Sequence, residues 1–286
     1  MKLKSYKYKT ADSITNGRAV IASIDRSKYT SQVLSQDIIE YMKDIKTNGK
    51  TAVLIAGGPA IHHSDARVIN GLVPDGLVAV KSQLGYNTYS IMRFFTCDIE
   101  YVSINTNTCA SSMYCLYEAE RLMSEGYTDV IVVAIDVVDE TQELLFKQLG
   151  INLICGDCMC VAHLTNDDEG GVVSISDTVW KWNNDKSPMS VSTEGYKKVI
   201  DSINTNEVDL IKMHGSGTER NTMEEYRAIE HIECRKIAYK SEIGHTQGAS
   251  SIVEICMMVD REEFNKAIVL ASGLGGFYGG CMVSKE

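Results

Sequence analysis

Apolar residues along this chain switch repeatedly between two spacings. The run Ile99–Asn105, "IEYVSIN", is β-branched, apolar and of strand length, the pattern of a strand. From Ser111 the interval lengthens: Met113, Leu116 and Tyr117, then Leu122 and Met123, recur at helical spacing. Gly126 follows, suited to the left-handed conformation that often closes a helix. "TDVIVVAI" (128–135) returns to strand. The predicted unit is strand, tight turn, helix, strand, with Cys109 at the turn.

The C-terminal half repeats this plan. "KIAYKS" (236–241) reads as strand, "GHTQGASS" as the turn, and Ile252, Ile255, Cys256 and Val259 as a helical stripe. "AIVLAS" (267–272) is the returning strand, and "VDLIKM" (208–213) is another apolar run of strand length. The interval from Cys109 to Ile131 equals that from His245 to Ala267, and both turns carry "ASS" before the helix. A duplicated α/β unit is expected, with a mainly parallel sheet covered by helices. In such sheets reactive groups gather beyond the carboxyl ends of strands. Cys109, His214 and His245 each fall just past a predicted strand.

Composition narrows the function. The chain has 286 residues, 44% hydrophobic and 23% charged, enough for a large globular core. A net charge of −10 argues against nucleic acid as the partner. The basic start, "MKLKSYKYKTADSITNGRAV", has no apolar run of signal-peptide length, and runs such as "VIVVAI" are too short to span a bilayer. A cytoplasmic location is expected, where the nine cysteines would be reduced. "CGDCMCVAH" offers Cys155, Cys158, Cys160 and His163 as a sketch of a zinc site. No second CxxC completes it, and the alternating Met159, Val161 and Leu164 read as strand. No metal and no cofactor are expected.

Three further stretches add chemistry to Cys109. A cysteine at a helix N-terminus meets unpaired N–H groups and the positive helix end, which favour thiolate; the same N–H groups can hold an oxyanion. "MHGSGTERNTMEE" sets His214 before two glycines, and "KSEIGHTQGAS" sets Lys240 and His245 around another. "ASGLGGFYGG" (271–280) reads as a glycine-rich loop without the Lys-Ser/Thr ending of a P-loop. His62, His63, His163 and His231 read as structural.

Taken in order, "TCASSM", "HGSGT" with Asn221 and Glu225, "KSEIGHTQGAS" and the terminal "GLGG" resemble a β-ketoacyl synthase, elongating type, of the thiolase superfamily. The resemblance runs from about residue 99 to the C-terminus. It implies a thiolase-like fold of two α/β halves, 1–166 and 167–286, in a layered αβαβα architecture. It implies Cys109 as nucleophile, His214 and His245 as catalytic histidines, and Lys240 and Glu225 in supporting positions. Leu274 takes a gating position where Phe is common, and the Leu274–Gly276 loop the oxyanion side. Thr222 stands where the family often has Asp. The implied activity is decarboxylative condensation of a malonyl thioester with a Cys109-bound acyl chain, both delivered by acyl carrier protein, in a homodimer or a heterodimer with a related synthase. A non-condensing partner subunit, and an acyl-thioester transferase or hydrolase, are the alternatives.

Overall fold

Among the described residues, short apolar runs become strands β1 (Lys2–Thr10), β2 (Ser13–Thr15), β3 (Arg18–Val20), β4 (Thr51–Gly57), β5 (Tyr101–Asn105), β6 (Asp129–Asp136), β7 (Cys158–Thr165), β8 (Val173–Trp182), β9 (Leu210–Lys212), β10 (Arg235–Ile237), β11 (Lys266–Gly273) and β12 (Phe277–Ser284). Helices α1 (Gln36–Asp44), α2 (Leu84–Met92), α3 (Ser111–Ser124), α4 (Thr193–Ile200), α5 (Glu219–Ile229), α6 (Lys240–Ile243) and α7 (Ser250–Arg261) lie between them. The structure, a computed structural model, describes residues 1–15, 18–24, 34–57, 84–137, 146–148, 150–167, 170–184, 187 and 190–285. His62 and His63 lie outside the described residues.

Ten of these strands form one sheet in the order β10-β9-β11-β12-β8-β1-β7-β6-β4-β5. The order is palindromic. Counting outward from the central β8–β1 contact, each strand meets its counterpart from the other half: β12 with β7, β11 with β6, β9 with β4, β10 with β5. The duplication expected from sequence is therefore present in the topology. The sheet is mixed rather than mainly parallel: β4–β5, β4–β6, β9–β10 and β9–β11 are parallel, while the inner pairs are antiparallel. For β11 and β12 the reason is local, because only three residues join them, too few for the crossover that parallel strands need.

Burial defines the layers. One core cluster packs α3 and α7 between the two halves of the sheet, combining Met113, Leu116, Ile252 and Ile255 with Leu54, Val132, Val269 and Cys281. A second lies on the outer face of the N-terminal half, where Ile38 and Met42 of α1 meet Val53, Ile131 and Val161. A third covers the C-terminal half with Tyr196 and Val199 of α4 and Ala228 and Ile229 of α5. Helix, half-sheet, helices, half-sheet, helix is the αβαβα layering. β4, β6, β7 and β11 are buried along almost their whole length, because both faces of the sheet are covered there. Among the described residues, no helix is long and apolar enough to cross a membrane.

Two local expectations change. The strand expected over 236–241 ends at Ile237, because its parallel partner β9 is itself only Leu210–Lys212, and Lys240–Ile243 turns into helix. The expected glycine-rich loop is mostly β11 and β12, leaving Leu274, Gly275 and Gly276 as the hairpin turn.

Candidate active site

The site starts with a strained turn. Thr108–Ala110 form one 3₁₀ turn that runs directly into α3, and Thr108 adopts a φ of 50°. A β-branched residue in this region costs on the order of 1–3 kcal/mol, and the neighbours hold it there. Ser111 Oγ donates to Thr108 O at 2.7 Å and Thr108 Oγ1 to Leu274 O at 3.4 Å. Gly273 allows this contact, since a Cβ there would sit 2.4 Å from Thr108 Oγ1. Cys109 thus stands between the start of α3 and the hairpin that carries Leu274.

His245 is braced from the other half. The segment before β7 runs alongside it: His245 N–H donates to Ile154 O at 2.6 Å, and Gly156 N–H to His245 O at 3.0 Å. A side chain at Gly156 would collide with Ile243 O at 2.0 Å. "CGDCMCVAH" therefore supplies a backbone brace followed by β7. His163 of that stretch pairs with Asp129 at 2.7 Å, and Cys160 faces Cys256 across 3.8 Å. Among the described residues no group of three potential ligands is placed to hold a metal ion.

The imidazole of His245 has a defined tautomer. Gln247 N–H donates to its Nδ1 at 3.1 Å, so in the neutral ring Nε2 carries the proton and is a donor. The His214 ring faces it edge-on, 5.4 Å between centroids at 71°. Both histidines are buried. Burial first, and then the Lys240 charge, hold both pKa values well below the usual imidazole range. Both rings are neutral at physiological pH.

Buried charges support the pair from behind. Glu225 accepts the N–H of His214 at 2.5 Å and of Gly215 at 2.8 Å, while Lys240 Nζ donates to His214 O at 2.6 Å. The backbone of His214 is thereby clamped on both sides. Lys240 also donates to Glu254 Oε1 at 2.8 Å, and Lys212 takes Glu254 Oε2. Burial alone would raise the Glu254 pKa, but the two lysines outweigh it and the carboxyl is held below its usual value. Glu225 is raised to about 7, chiefly by burial and against its two backbone donors.

Cys109, His214, His245, Asn221 and Leu274 line one cavity of about 650 Å³. Lys240 and Glu225 sit behind it. Gly275 and Gly276 turn away, with Trp182 Nε1 donating to Gly275 O at 3.1 Å and Asn183 N–H to Gly276 O at 2.9 Å. The thiolate expected at the helix start is not the resting state. Burial raises the Cys109 pKa to about 12, more than the opposing pull of Lys240. One face of Cys109 is open to the cavity.

Three residues that spacing did not single out complete the site. Gln247 Oε1 accepts from Cys109 Sγ at 3.5 Å. Glu254 and Lys212 are fully buried beneath the histidines. A signal for the last two was present: each is a lone charge inside an otherwise apolar stretch, "IVEIC" and "LIKM", and such charges are buried only when paired.

Known proteins share this architecture. Residues 184–261 match the family model for the β-ketoacyl synthase C-terminal domain. Among curated proteins none matches the chain by sequence. Solved structures match across the fold. The AntDE:AntF complex, a type II PKS acyl-carrier protein with its ketosynthase bound to the hexaketide, is 13% identical, with a TM-score of 0.79 over 98% of this chain and 92% of that one. The ishigamide ketosynthase/chain length factor is 14% identical, with a TM-score of 0.72 over 98% and 92%. The ketosynthase from module 6 of the Bacillus subtilis 168 bacillaene synthase is 12% identical, with a TM-score of 0.71 over 90% of this chain. This chain spans only 58% of that bacillaene chain. The fold is the thiolase-type fold of the ketosynthases, and the resemblance read from the motifs is to the same proteins.

Proposed function

We propose that this chain is a ketosynthase that carries an acyl group on Cys109 and condenses it with a malonyl thioester. The observation that supports this most is the pair of neutral, buried histidines sharing one cavity wall with Cys109, His245 with its Nε2–H fixed as a donor. Acylation forms the Cys109 sulfur–carbonyl bond as the carrier's sulfur–carbonyl bond breaks, and the Cys109 proton leaves with the carrier thiol. The amides of Cys109 and Leu274 hold the tetrahedral oxyanion.

His214 and His245 then hydrogen-bond the malonyl thioester carbonyl. As CO₂ departs, its bonding electrons form an enolate that these donors stabilise. The enolate carbon attacks the acyl carbonyl, Cys109 leaves as thiolate and recovers a proton from water, and a 3-oxoacyl thioester results. Lys240 and Glu225 hold His214, and the Leu274–Gly276 turn forms the gate. The substrates arrive on acyl carrier protein. The two halves, 1–166 and 167–286, contribute Cys109 and the histidines respectively.

Dimerisation belongs to the same proposal. In the resembled family the strand before the nucleophile pairs across the dimer. Here β5 is an edge strand with Val102 exposed, a ready template for a second copy or a related synthase.

The deciding experiment incubates the protein with acyl- and malonyl-carrier thioesters, following Cys109 by intact-protein mass and CO₂ release in parallel. Acylation together with CO₂ release and a 3-oxoacyl product is expected. Acylation without CO₂ release would leave a transferase or hydrolase. Neither activity, with stable binding to a co-expressed synthase, would leave the non-condensing partner subunit.

A further inference from the structure

Gln247 occupies an unusual position for a long polar side chain. It opens the 3₁₀ turn before α7 at a φ of 42°, a conformation that glycine or asparagine adopts more readily. Its backbone N–H holds the tautomer of His245, and its side chain, 4% exposed, reaches the cavity wall beside the nucleophile. There its polar partners are two sulfurs. Oε1 accepts from Cys109 Sγ at 3.5 Å, and Nε2 donates to Cys155 Sγ at 3.9 Å. Thiols are weak donors and weak acceptors. A primary amide with two N–H donors and one strong acceptor is thus buried against groups that satisfy it poorly.

Acylation makes the mismatch worse. Converting Cys109 from S–H to S–acyl removes the proton that Oε1 accepts. A saturated chain would leave methylene groups against the buried amide, and an unsatisfied buried polar group is costly. The thioester carbonyl does not resolve this, since in the proposed reaction it belongs to the Cys109 and Leu274 amides. The next oxygen along an oxygenated chain does. A 3-hydroxyl can donate to Oε1, and a 3-oxo group can accept from Nε2 once the amide turns over.

We propose that Gln247 is a specificity-determining residue that selects acyl chains oxygenated at the third carbon for attachment to Cys109. This rests on the ketosynthase reading above. The chemical step is the thioester exchange already described, with no oxidant or reductant. The substrate class that follows is 3-oxoacyl and 3-hydroxyacyl thioesters rather than saturated ones.

The test uses the full chain and the pantetheine thioesters of butyrate, 3-hydroxybutyrate and 3-oxobutyrate, with Cys109 acylation followed by intact-protein mass. The wild type should acylate from the oxygenated esters faster than from butyrate by about tenfold or more, the size of one buried hydrogen-bond mismatch. Gln247→Leu should slow the oxygenated esters, speed butyrate, and bring the ratio close to the ratio of the free esters' reactivities toward a small thiol. Comparing variant with wild type cancels the intrinsic reactivity of each ester. A ratio that Gln247→Leu leaves unchanged overturns the assignment of Gln247 and leaves the ketosynthase reading standing. Should Gln247→Leu not fold, a wild-type ratio matching that of the free esters overturns the assignment by itself. No acylation of folded wild-type protein by any of the three overturns the ketosynthase reading as well.

Discussion

The two halves build the same corner and use it differently. Thr108–Ala110 leading into α3, and Gln247–Ala249 leading into α7, are both 3₁₀ turns whose first residue has a positive φ. Both continue into "SS" at the helix start. Aligned this way, the counterpart of Cys109 is Gly248, not His245, so the duplication does not make the nucleophile and the histidine equivalent. The N-terminal corner presents a thiol. The C-terminal corner puts glycine there, and its chemistry comes from the flanking His245 and Gln247.

The helices diverge in the same way. Ser112 Oγ accepts the N–H groups of Ser251 and Ile252 at 3.0 and 3.3 Å, capping the start of α7 from the other half. Its counterpart Ser251 Oγ is buried without a partner. Below the corner, α7 carries Glu254 between Lys212 and Lys240, whereas Cys115 stands at the aligned place in α3 beside Asn105. Duplication supplied a scaffold with two equivalent corners, and side-chain differences made one the nucleophile and the other the electrostatic partner.

The largest expected effect separates the corners outright. Cys109→Gln should abolish acylation and condensation, while malonyl decarboxylation persists or rises because the amide carbonyl resembles an acylated cysteine. Loss of decarboxylation in that folded variant would show that the histidines do not act independently of the sulfur. His245→Ala should do the reverse, lowering CO₂ release by roughly 10²–10³, as for one preorganised donor, while some acylation of Cys109 remains. Equal loss of both steps would end the division of labour.

A smaller effect concerns the charges behind the histidines. Lys212→Met leaves Glu254 with one lysine, and breaking a buried pair typically costs about 3–5 kcal/mol, readable by urea unfolding. A cost under about 1 kcal/mol, the size of an exposed pair, would mean that Lys240 alone satisfies Glu254. Smaller again is the serine pair. Ser112→Ala should cost about 1 kcal/mol as a lost helix cap, whereas Ser251→Ala should be neutral or stabilising because it removes an unsatisfied buried hydroxyl. Equal costs would erase the asymmetry.

The last expected outcome is an absence of change. Burial and the Lys240 charge lower the pKa of both histidines, so protonation is confined to pH well below 6.5. In a Glu225→Gln background, which removes the carboxyl beside His214 that is raised to about 7, decarboxylation should therefore be flat between about pH 6.5 and 8. Alkylation of Cys109 by iodoacetamide should instead climb about tenfold per pH unit through that range, because its thiol stays protonated below its raised pKa. A titration near 6.5 in the CO₂ profile would show a solvated imidazole in place of the buried pair.

Periodicity was enough to read β5, α3, β6, β7, α7 and β11, because each is a continuous apolar run or stripe whose repeat depends only on neighbouring residues. The four motifs named Cys109, His214, Asn221, His245 and Leu274 of the cavity wall for the same reason, each motif lying within a dozen residues of chain, whereas Phe146, Leu153 and Val191 of the same wall belong to none of them. Tertiary structure alone decided the rest. The palindromic sheet order depends on which strands meet at β1 and β8, far apart in sequence and joined by a short antiparallel contact. The protonated resting state of Cys109 was not legible in the sequence, because a helix start acts locally while desolvation is imposed by everything packed around it. Gln247 against Cys109, and Glu254 between Lys212 and Lys240, bring together side chains separated by 14 to 138 positions. No local pattern encodes such pairs. They exist because α3 and α7 start side by side between the two halves of the sheet, and a charge or an amide sealed there must find its partner in the fold.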